Sequence, residues 1–267
     1  ILQFSILRPL ATEEIEENLI VTNGCHSVDG AVSFLGSGKI VDNLQSAFVF
    51  ETKSETLMYM WNPDVQLYPA SLVKIMTALL VLEKGQLTDT VTVKASTIDD
   101  LPDNAISVNL VEGERISVED LMYCMIVQSA NDAAAVLAEY VSGSQSDFID
   151  LMNQRAAELG CTGTIFKNAS GLHHDDQYIT ARDMVRILRE ALKNEQFAEI
   201  FCSDNYWMDE TNFSDARYFV TTNYMMSDEV YLYYKDSRVT GGRTGSETST
   251  SGYLQGGAIA APDAEAR

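Results

Sequence analysis

The stretch from Leu72 to Leu82 constrains this chain more than any other. Leu72, Val73, Ile75, Met76, Ala78, Leu79, Leu80, Val81 and Leu82 are all apolar, which leaves almost no polar face. A run of that length is too short to span a bilayer and reads as a helix buried on all sides. Lys74 lies inside it, and burial lowers an amine's pKa, so the side chain can act as a neutral base near neutral pH. Ser71 precedes it in Tyr68-Pro69-Ala70-Ser71-Leu72-Val73-Lys74. Positions three apart share one face of a helix, so the amine can reach the serine hydroxyl and take its proton. A serine at a helix N-terminus also meets N–H groups and a dipole that favour charge on its oxygen or on an acyl oxyanion.

Spacing alone would not decide the matter. A Ser-x-x-Lys pair arises roughly once by chance in a chain of this size, and the plain alternative is a helix cap followed by a solvated lysine. The apolar flank turns the balance toward an activated nucleophile.

The rest of the chain sets bounds. Its 267 residues suffice for one large domain or two modest ones, and the net charge of −21 argues against nucleic acid or an anionic membrane surface as the main partner. An anionic substrate must then meet a local basic group. No apolar run approaches the roughly 20 residues of a transmembrane helix. Ile1 to Leu7 is apolar but lacks the charged start and small-residue cleavage site of a signal peptide, so a mature or trimmed form is expected. Cys25, Cys124, Cys161 and Cys202 show no C-x-x-C spacing, and four cysteines allow three complete pairings among which nothing chooses. Cys25-His26 and His173-His174-Asp175-Asp176 look like metal ligands but lack the i, i+4 His spacing or a second pair. They read as polar loops, so neither a metal nor a cofactor is expected.

Residues 1–43 read as polar and loop-like. Ala47 to Glu51 and Leu57 to Trp61 then predict a hairpin feeding the Ser71 helix, followed by a short strand at Thr90 to Val93. Ser117-Val118-Glu119-Asp120 opens a helix to about Val127. Further helices are predicted over 132–141, 147–159 and 180–200, the last opened by Thr180-Ala181-Arg182-Asp183. β texture returns at Phe219 to Thr222, at Val230 to Tyr234 and in the Gly-Thr-Ser-rich stretch that runs into Gly252 to Gln255. The expected fold is α+β: an antiparallel sheet from the terminal strands, helices packed on it, and an all-helical region inserted at about 95–165.

An acyl-transferring serine needs a group to pass a proton to the leaving amine, a cation for an anionic substrate end, and N–H donors for the oxyanion. Three Ser-x-Asn triplets could supply the first: Ser107-Val108-Asn109, Ser129-Ala130-Asn131 and Ser203-Asp204-Asn205. The first reads as strand and the third as a turn. Only Ser129 and Asn131 lie at a junction between two strong helices, where a short loop can present both into a cleft. In Gly241-Gly242-Arg243-Thr244-Gly245-Ser246 the glycines allow close approach to the backbone. Arg243 supplies a charge, Thr244 a hydroxyl, and the Ser246 N–H an oxyanion donor to pair with that of Ser71.

Taken in order, Pro-Ala-Ser71-Leu-Val-Lys74, Gln128-Ser129-Ala130-Asn131-Asp132-Ala133, Gly171-Leu172 with Gln177-Tyr178 and Thr180 to Met184, and Gly242-Arg243-Thr244-Gly245 resemble the penicillin-interacting serine D-alanyl-D-alanine carboxypeptidases of low molecular mass. The resemblance runs from about Ala47 to Tyr253. It implies a β-lactamase/transpeptidase-like fold, with residues 1–45 an N-terminal extension and 46–267 one peptidase domain. It implies hydrolysis of the terminal D-Ala-D-Ala bond of peptidoglycan stem peptides at the bacterial cell surface, and covalent inhibition by β-lactams. Ser71 would be the nucleophile, Lys74 the acylation base, Ser129 the proton relay, and Asn131 a holder of Lys74 and the substrate amide. Arg243 and Thr244, with Gly245 and Ser246, would bind the substrate's terminal carboxylate and acyl group.

The chain departs from the family at two places. Arginine stands where the third motif reads Lys-Thr-Gly, which keeps the charge and gains a two-pronged grip but removes a group able to shuttle protons. The family's last strand and long helix are also expected to be missing after residue 260, leaving a bare sheet edge. The alternatives are a serine β-lactamase, though no Glu-x-x-Leu-Asn stretch appears to hold its water, a non-catalytic penicillin-binding sensor or wall-binding module, and an esterase or endopeptidase on related bonds.

Overall fold

A computed structural model describes residues 2–7, 44–52, 55–227, 229, 235–249 and 252–260. The sheet contains β1 (Leu2–Leu7), β2 (Leu44–Glu51), β3 (Thr56–Trp61), β8 (Gly241–Ser249) and β9 (Gly252–Ala260), in the antiparallel order β3-β2-β1-β9-β8. Two small two-stranded sheets stand apart: β4 (Thr90–Thr92) with β5 (Arg115–Ser117), and β6 (Asn205–Met208) with β7 (Arg217–Val220).

Helices fill the chain between β3 and β6. They are α1 (Val73–Lys84), α2 (Ala95–Ile98), α3 (Val118–Ile126), α4 (Asn131–Ser142), α5 (Gln145–Glu158), α6 (Ala181–Ala191) and α7 (Glu195–Phe201). The starts follow the sequence: Ser117 and Thr180 each accept the N–H of the residue three ahead, Asp120 and Asp183, with their side-chain oxygens. The helix expected over 180–200 is instead two, because Asn194 caps a new start by accepting the N–H groups of Gln196 and Phe197.

As the apolar run requires, α1 is the axis of the core. Val73, Ile75, Met76, Ala78 and Leu80 are wholly enclosed, packed with Leu121, Met122 and Met125 of α3, Ala134 and Leu137 of α4, and Met184 and Ile187 of α6. The α6 helix also lies along the sheet. Its Arg182 and Arg189 sit over the Phe48 and Phe50 rings of β2 at 5.4 and 4.2 Å, and their far ends pair with Asp64 and Glu55. The arginine stems thereby cover apolar sheet surface while the charges stay at the rim.

Two expectations are corrected. Residues 2–7, read as part of a loop-like start, form β1 in the middle of the sheet, pairing Leu2 to Phe50 on one side and Leu2 to Ala260 on the other. The far side of β9 is therefore not bare along Ala258 to Ala260, where β1 pairs. Ser107-Val108-Asn109 is not a strand: Asn109 turns the chain at φ 59°, and neither helix nor strand is formed over 105–111. Cys25-His26 and the expected strand at Val230 to Tyr234 lie outside the described residues. Among those described, Cys124, Cys161 and Cys202 are unbridged, and no helix is long and apolar enough to cross a membrane.

Candidate active site

Ser71 lies in a single 3-10 turn, Ala70–Leu72, that leads into α1 and sets Lys74 on the first turn of the helix. Because α1 is enclosed on all sides, Lys74 is fully buried with it. Burial pushes its amine well below the ordinary lysine range, the nearby Arg243 cation pushes the same way, and the Asp132 carboxylate opposes them. Burial thus favours the neutral amine over the ammonium.

Three groups lie within hydrogen-bond distance of Lys74 Nζ. It donates to Asn131 Oδ1 at 2.8 Å and to the Ser170 carbonyl. Both are acceptors only, and the third neighbour is Ser71 Oγ at 3.2 Å, to which an ammonium donates and from which a neutral amine can accept. Ser71 Oγ is also 3.0 Å from Ser129 Oγ. Four of the residues predicted from spacing therefore meet in one hydrogen-bonded cluster, although 58 residues separate the two serines.

The α3–α4 junction carries the Ser129 half of the cluster. Ser129 itself has φ 72°, a left-handed conformation that non-glycine residues rarely adopt, and the turn it makes delivers Asn131 at the head of α4. The other two Ser-x-Asn triplets serve the fold. Ser107 Oγ donates to Asp132 at 2.5 Å, and Ser203 Oγ to the Glu199 carbonyl at 3.0 Å.

The β8 strand runs against the Ser71 turn, and Gly245 makes the approach possible: a Cβ there would sit 3.0 Å from the Ser71 backbone nitrogen and 3.3 Å from the Pro69 carbonyl. Ser246 follows Gly245 on the strand. Arg243 is 1% exposed, and burial pushes its guanidinium down to about 9, still a cation at neutral pH. Its Nη1 donates to Thr222 Oγ1 at 3.0 Å, and Thr222 Oγ1 is 2.9 Å from Thr244 Oγ1. Arg243 and Thr244 thus gather on Thr222 rather than touching the serines. Nε and Nη2 of Arg243 are buried with no hydrogen-bond partner among the described residues.

Two groups in this arrangement escaped the sequence reading. Thr222 is an ordinary strand-end threonine until β8 is laid beside it. The Ser170 carbonyl is a backbone atom with no side-chain signature. Its one trace is Asn168-Ala169-Ser170-Gly171, in which Asn168 Oδ1 accepts the Gly171 N–H at 2.7 Å and folds the turn inward. Gly171 is required there, since its φ is 87° and a Cβ would stand 1.9 Å from the Ala70 carbonyl oxygen. Among the described residues no group of three or more His, Cys, Asp or Glu side chains is placed to hold a metal ion.

Comparison with known proteins agrees with this picture. A family model described as D-alanyl-D-alanine carboxypeptidase matches residues 41–257. D-alanyl-D-alanine carboxypeptidase DacF of Bacillus subtilis is 31% identical over 194 residues, covering 66% of this chain and 48% of the relative. DacC of Escherichia coli is 44% identical over 139 residues, covering 49% and 34%. The chain thus spans less than half the length of these two curated relatives. Among solved structures, a D-alanyl-D-alanine carboxypeptidase from Mycobacterium tuberculosis superposes with a TM-score of 0.66 at 25% identity, over 83% of this chain and 84% of that one. The Streptomyces K15 DD-transpeptidase shares the fold, with a TM-score of 0.64 at 24% identity over 81% and 89%.

Proposed function

The chain belongs to the D-alanyl-D-alanine carboxypeptidase family, and on that premise we propose that it hydrolyses the terminal D-Ala-D-Ala bond of peptidoglycan stem peptides through an acyl-enzyme on Ser71. The observation that carries this reading is the buried Lys74 amine, held by Asn131 Oδ1 and the Ser170 carbonyl with Ser71 Oγ 3.2 Å away.

Ser71 Oγ attacks the carbonyl carbon of the penultimate D-alanine while its proton passes to Lys74 Nζ. The oxyanion forms against the backbone N–H groups of Ser71 and Ser246, and the substrate's terminal carboxylate rests on Arg243 and Thr244. On collapse of the tetrahedral adduct the C–N bond breaks. The departing D-alanine nitrogen takes a proton from Ser129 Oγ, which is made good from the Lys74 ammonium. Water then attacks the ester, giving its proton to the same base, and releases the shortened peptide with Ser71 restored. An arginine in the third motif fixes the carboxylate and stays charged, so proton traffic falls to Lys74 and Ser129. β-Lactams present a strained amide and a carboxylate to the same groups and acylate Ser71. Such a reaction belongs to the bacterial cell wall, outside the cytoplasm.

The test is intact-mass spectrometry after incubation with benzylpenicillin. One adduct, located on the Ser71 peptide and absent from Ser71→Ala, is the expected result. Wild-type protein that stays unmodified and releases no D-alanine from a D-Ala-D-Ala peptide would overturn the reading.

A further inference from the structure

Lys74 is aimed by Asn131, and Asn131 is itself aimed. Its Nδ2 donates to the Ile106 carbonyl at 2.9 Å, and its backbone N–H donates to the same oxygen at 2.8 Å. This anchor decides which end of the amide faces the amine. A flipped side chain would set Nδ2 against Lys74 and Oδ1 against a carbonyl, losing both bonds. The Ile106 carbonyl in turn belongs to the irregular stretch 105–111, which has no ladder of its own to hold it.

What holds that stretch is the neighbour of Asn131. The Asp132 carboxylate accepts Ser107 Oγ at 2.5 Å, the Leu110 N–H at 3.0 Å and the Val108 N–H at 3.1 Å through Oδ2, and the Ala133 N–H at 2.9 Å through Oδ1. The residue is 2% exposed, and every one of these donors is neutral. Dipoles alone therefore offset its charge locally, and an uncancelled anion remains one residue from the side chain that grips the base.

We infer that Asp132 is a positioning residue for the reaction: it clamps the 105–111 stretch so that the Ile106 carbonyl orients the Asn131 amide toward the Lys74 amine. The inference rests on the proposed function, in which that amine is the base. Lys74 feels Asp132 as a charge favouring the ammonium, against desolvation and against Arg243 on β8. Around the clamp, Glu114 and Arg217 pair with each other, and Arg217 donates to the Val108 carbonyl at 2.8 Å. The Cys124 thiol also lies within reach of the Asp132 charge, but burial raises its pKa far enough to keep it protonated.

The sign of the effect follows. Removing the anion disfavours the ammonium, so Lys74 loses its proton at lower pH and the acidic limb of the acylation profile moves to lower pH. A merely structural role predicts the reverse or no movement, since a loosened loop admits water and returns the amine toward its ordinary range.

The experiment is the second-order rate of acylation by benzylpenicillin against pH, on the whole chain, for wild type, Asp132→Asn and Ser107→Ala. Asp132→Asn should shift the acidic limb downward. Ser107→Ala removes one strap without touching the charge, and should slow acylation about tenfold through misalignment while the limb stays in place. A limb that stays or rises in Asp132→Asn, or a Ser107→Ala rate equal to wild type, overturns the inference. If Asp132→Asn does not fold, Ser107→Ala decides alone. Failure of the proposed function looks different, because wild-type Ser71 would then carry no adduct at any pH.

Discussion

Lys74 and Arg243 are both basic side chains with almost no exposed surface, and they are buried in opposite ways. Around Lys74 the Nζ has three partners: the Ser170 carbonyl, Asn131 Oδ1 and Ser71 Oγ. Around Arg243 only Nη1 is engaged, by Thr222, while Nε and Nη2 point at no acceptor among the described residues. A buried donor left unpaired costs on the order of 1–3 kcal/mol. The contrast separates two kinds of work. The lysine belongs to a closed circuit, whereas the arginine keeps two unpartnered donors, which under the proposed function would meet the two oxygens of a carboxylate. The two sites also speak to each other, since the Arg243 charge helps keep Lys74 neutral.

The hardest blow to this contrast is Lys74→Ala, which deletes the hub of the closed circuit. Penicillin acylation should fall by about 10³-fold or more, and a rate within tenfold of wild type would show that something else takes the Ser71 proton. Next comes Arg243→Ala, expected to lower kcat/KM about 10²-fold on a peptide ending in a carboxylate. A peptide ending in an amide should lose much less, and equal losses on both would mean that Arg243 does not read the carboxylate. The same variant removes a cation that favours neutral Lys74. The amine's pKa then rises, and the acidic limb of the acylation profile should move to higher pH.

Gly171→Ala strikes at the backbone side of the lysine circuit. Its Cβ would collide with the Ala70 carbonyl at a φ of 87°, and thermal denaturation should show a loss of about 2–4 kcal/mol. An unchanged melting temperature would mean that this contact relaxes freely. The mildest change is Arg243→Lys, which keeps the charge and gives up the planar fork. Its kcat/KM should stay within about tenfold of wild type, and a larger loss would make the two-pronged grip the deciding feature.

Much of this was legible in the chain because the decisive signals are local. The Ser71–Lys74 spacing, the enclosed character of α1 and the capping residues Ser117 and Thr180 all act within a few residues of themselves. Choosing Ser129 and Asn131 over two similar triplets needed only their place between helices. What could not be read depends on which distant backbones lie side by side. The Ser170 carbonyl becomes a partner of Lys74 only when Gly171 lets its turn close on Ala70. Thr222 becomes a bridge between Arg243 and Thr244 only beside β8. Residues 2–7 carry strand-forming side chains, but nothing in them says that β2 and β9 are their neighbours. The single helix read over 180–200 failed for a different reason, because Asn194 competes for the backbone locally and the apolar pattern on either side hides the break.

Ser129 and Ala70 both hold positive φ, 72° and 46°, without being glycine, and they stand on either side of the reactive hydroxyls. Each conformation costs an L-residue about 1 kcal/mol or more, so strain is stored beside the Ser71 and Ser129 hydroxyls as well as at Glu55, Asn62 and Asn109. Selection for robustness and selection for turnover therefore pull these two positions apart. A glycine at 129 would ease the backbone and delete the hydroxyl proposed as the relay in the same step, and a glycine at 70 would loosen the turn that carries Ser71. Improvements in heat tolerance should consequently accumulate in the helical body around α1, leaving this strained rim as the part of the protein that cannot be made more comfortable.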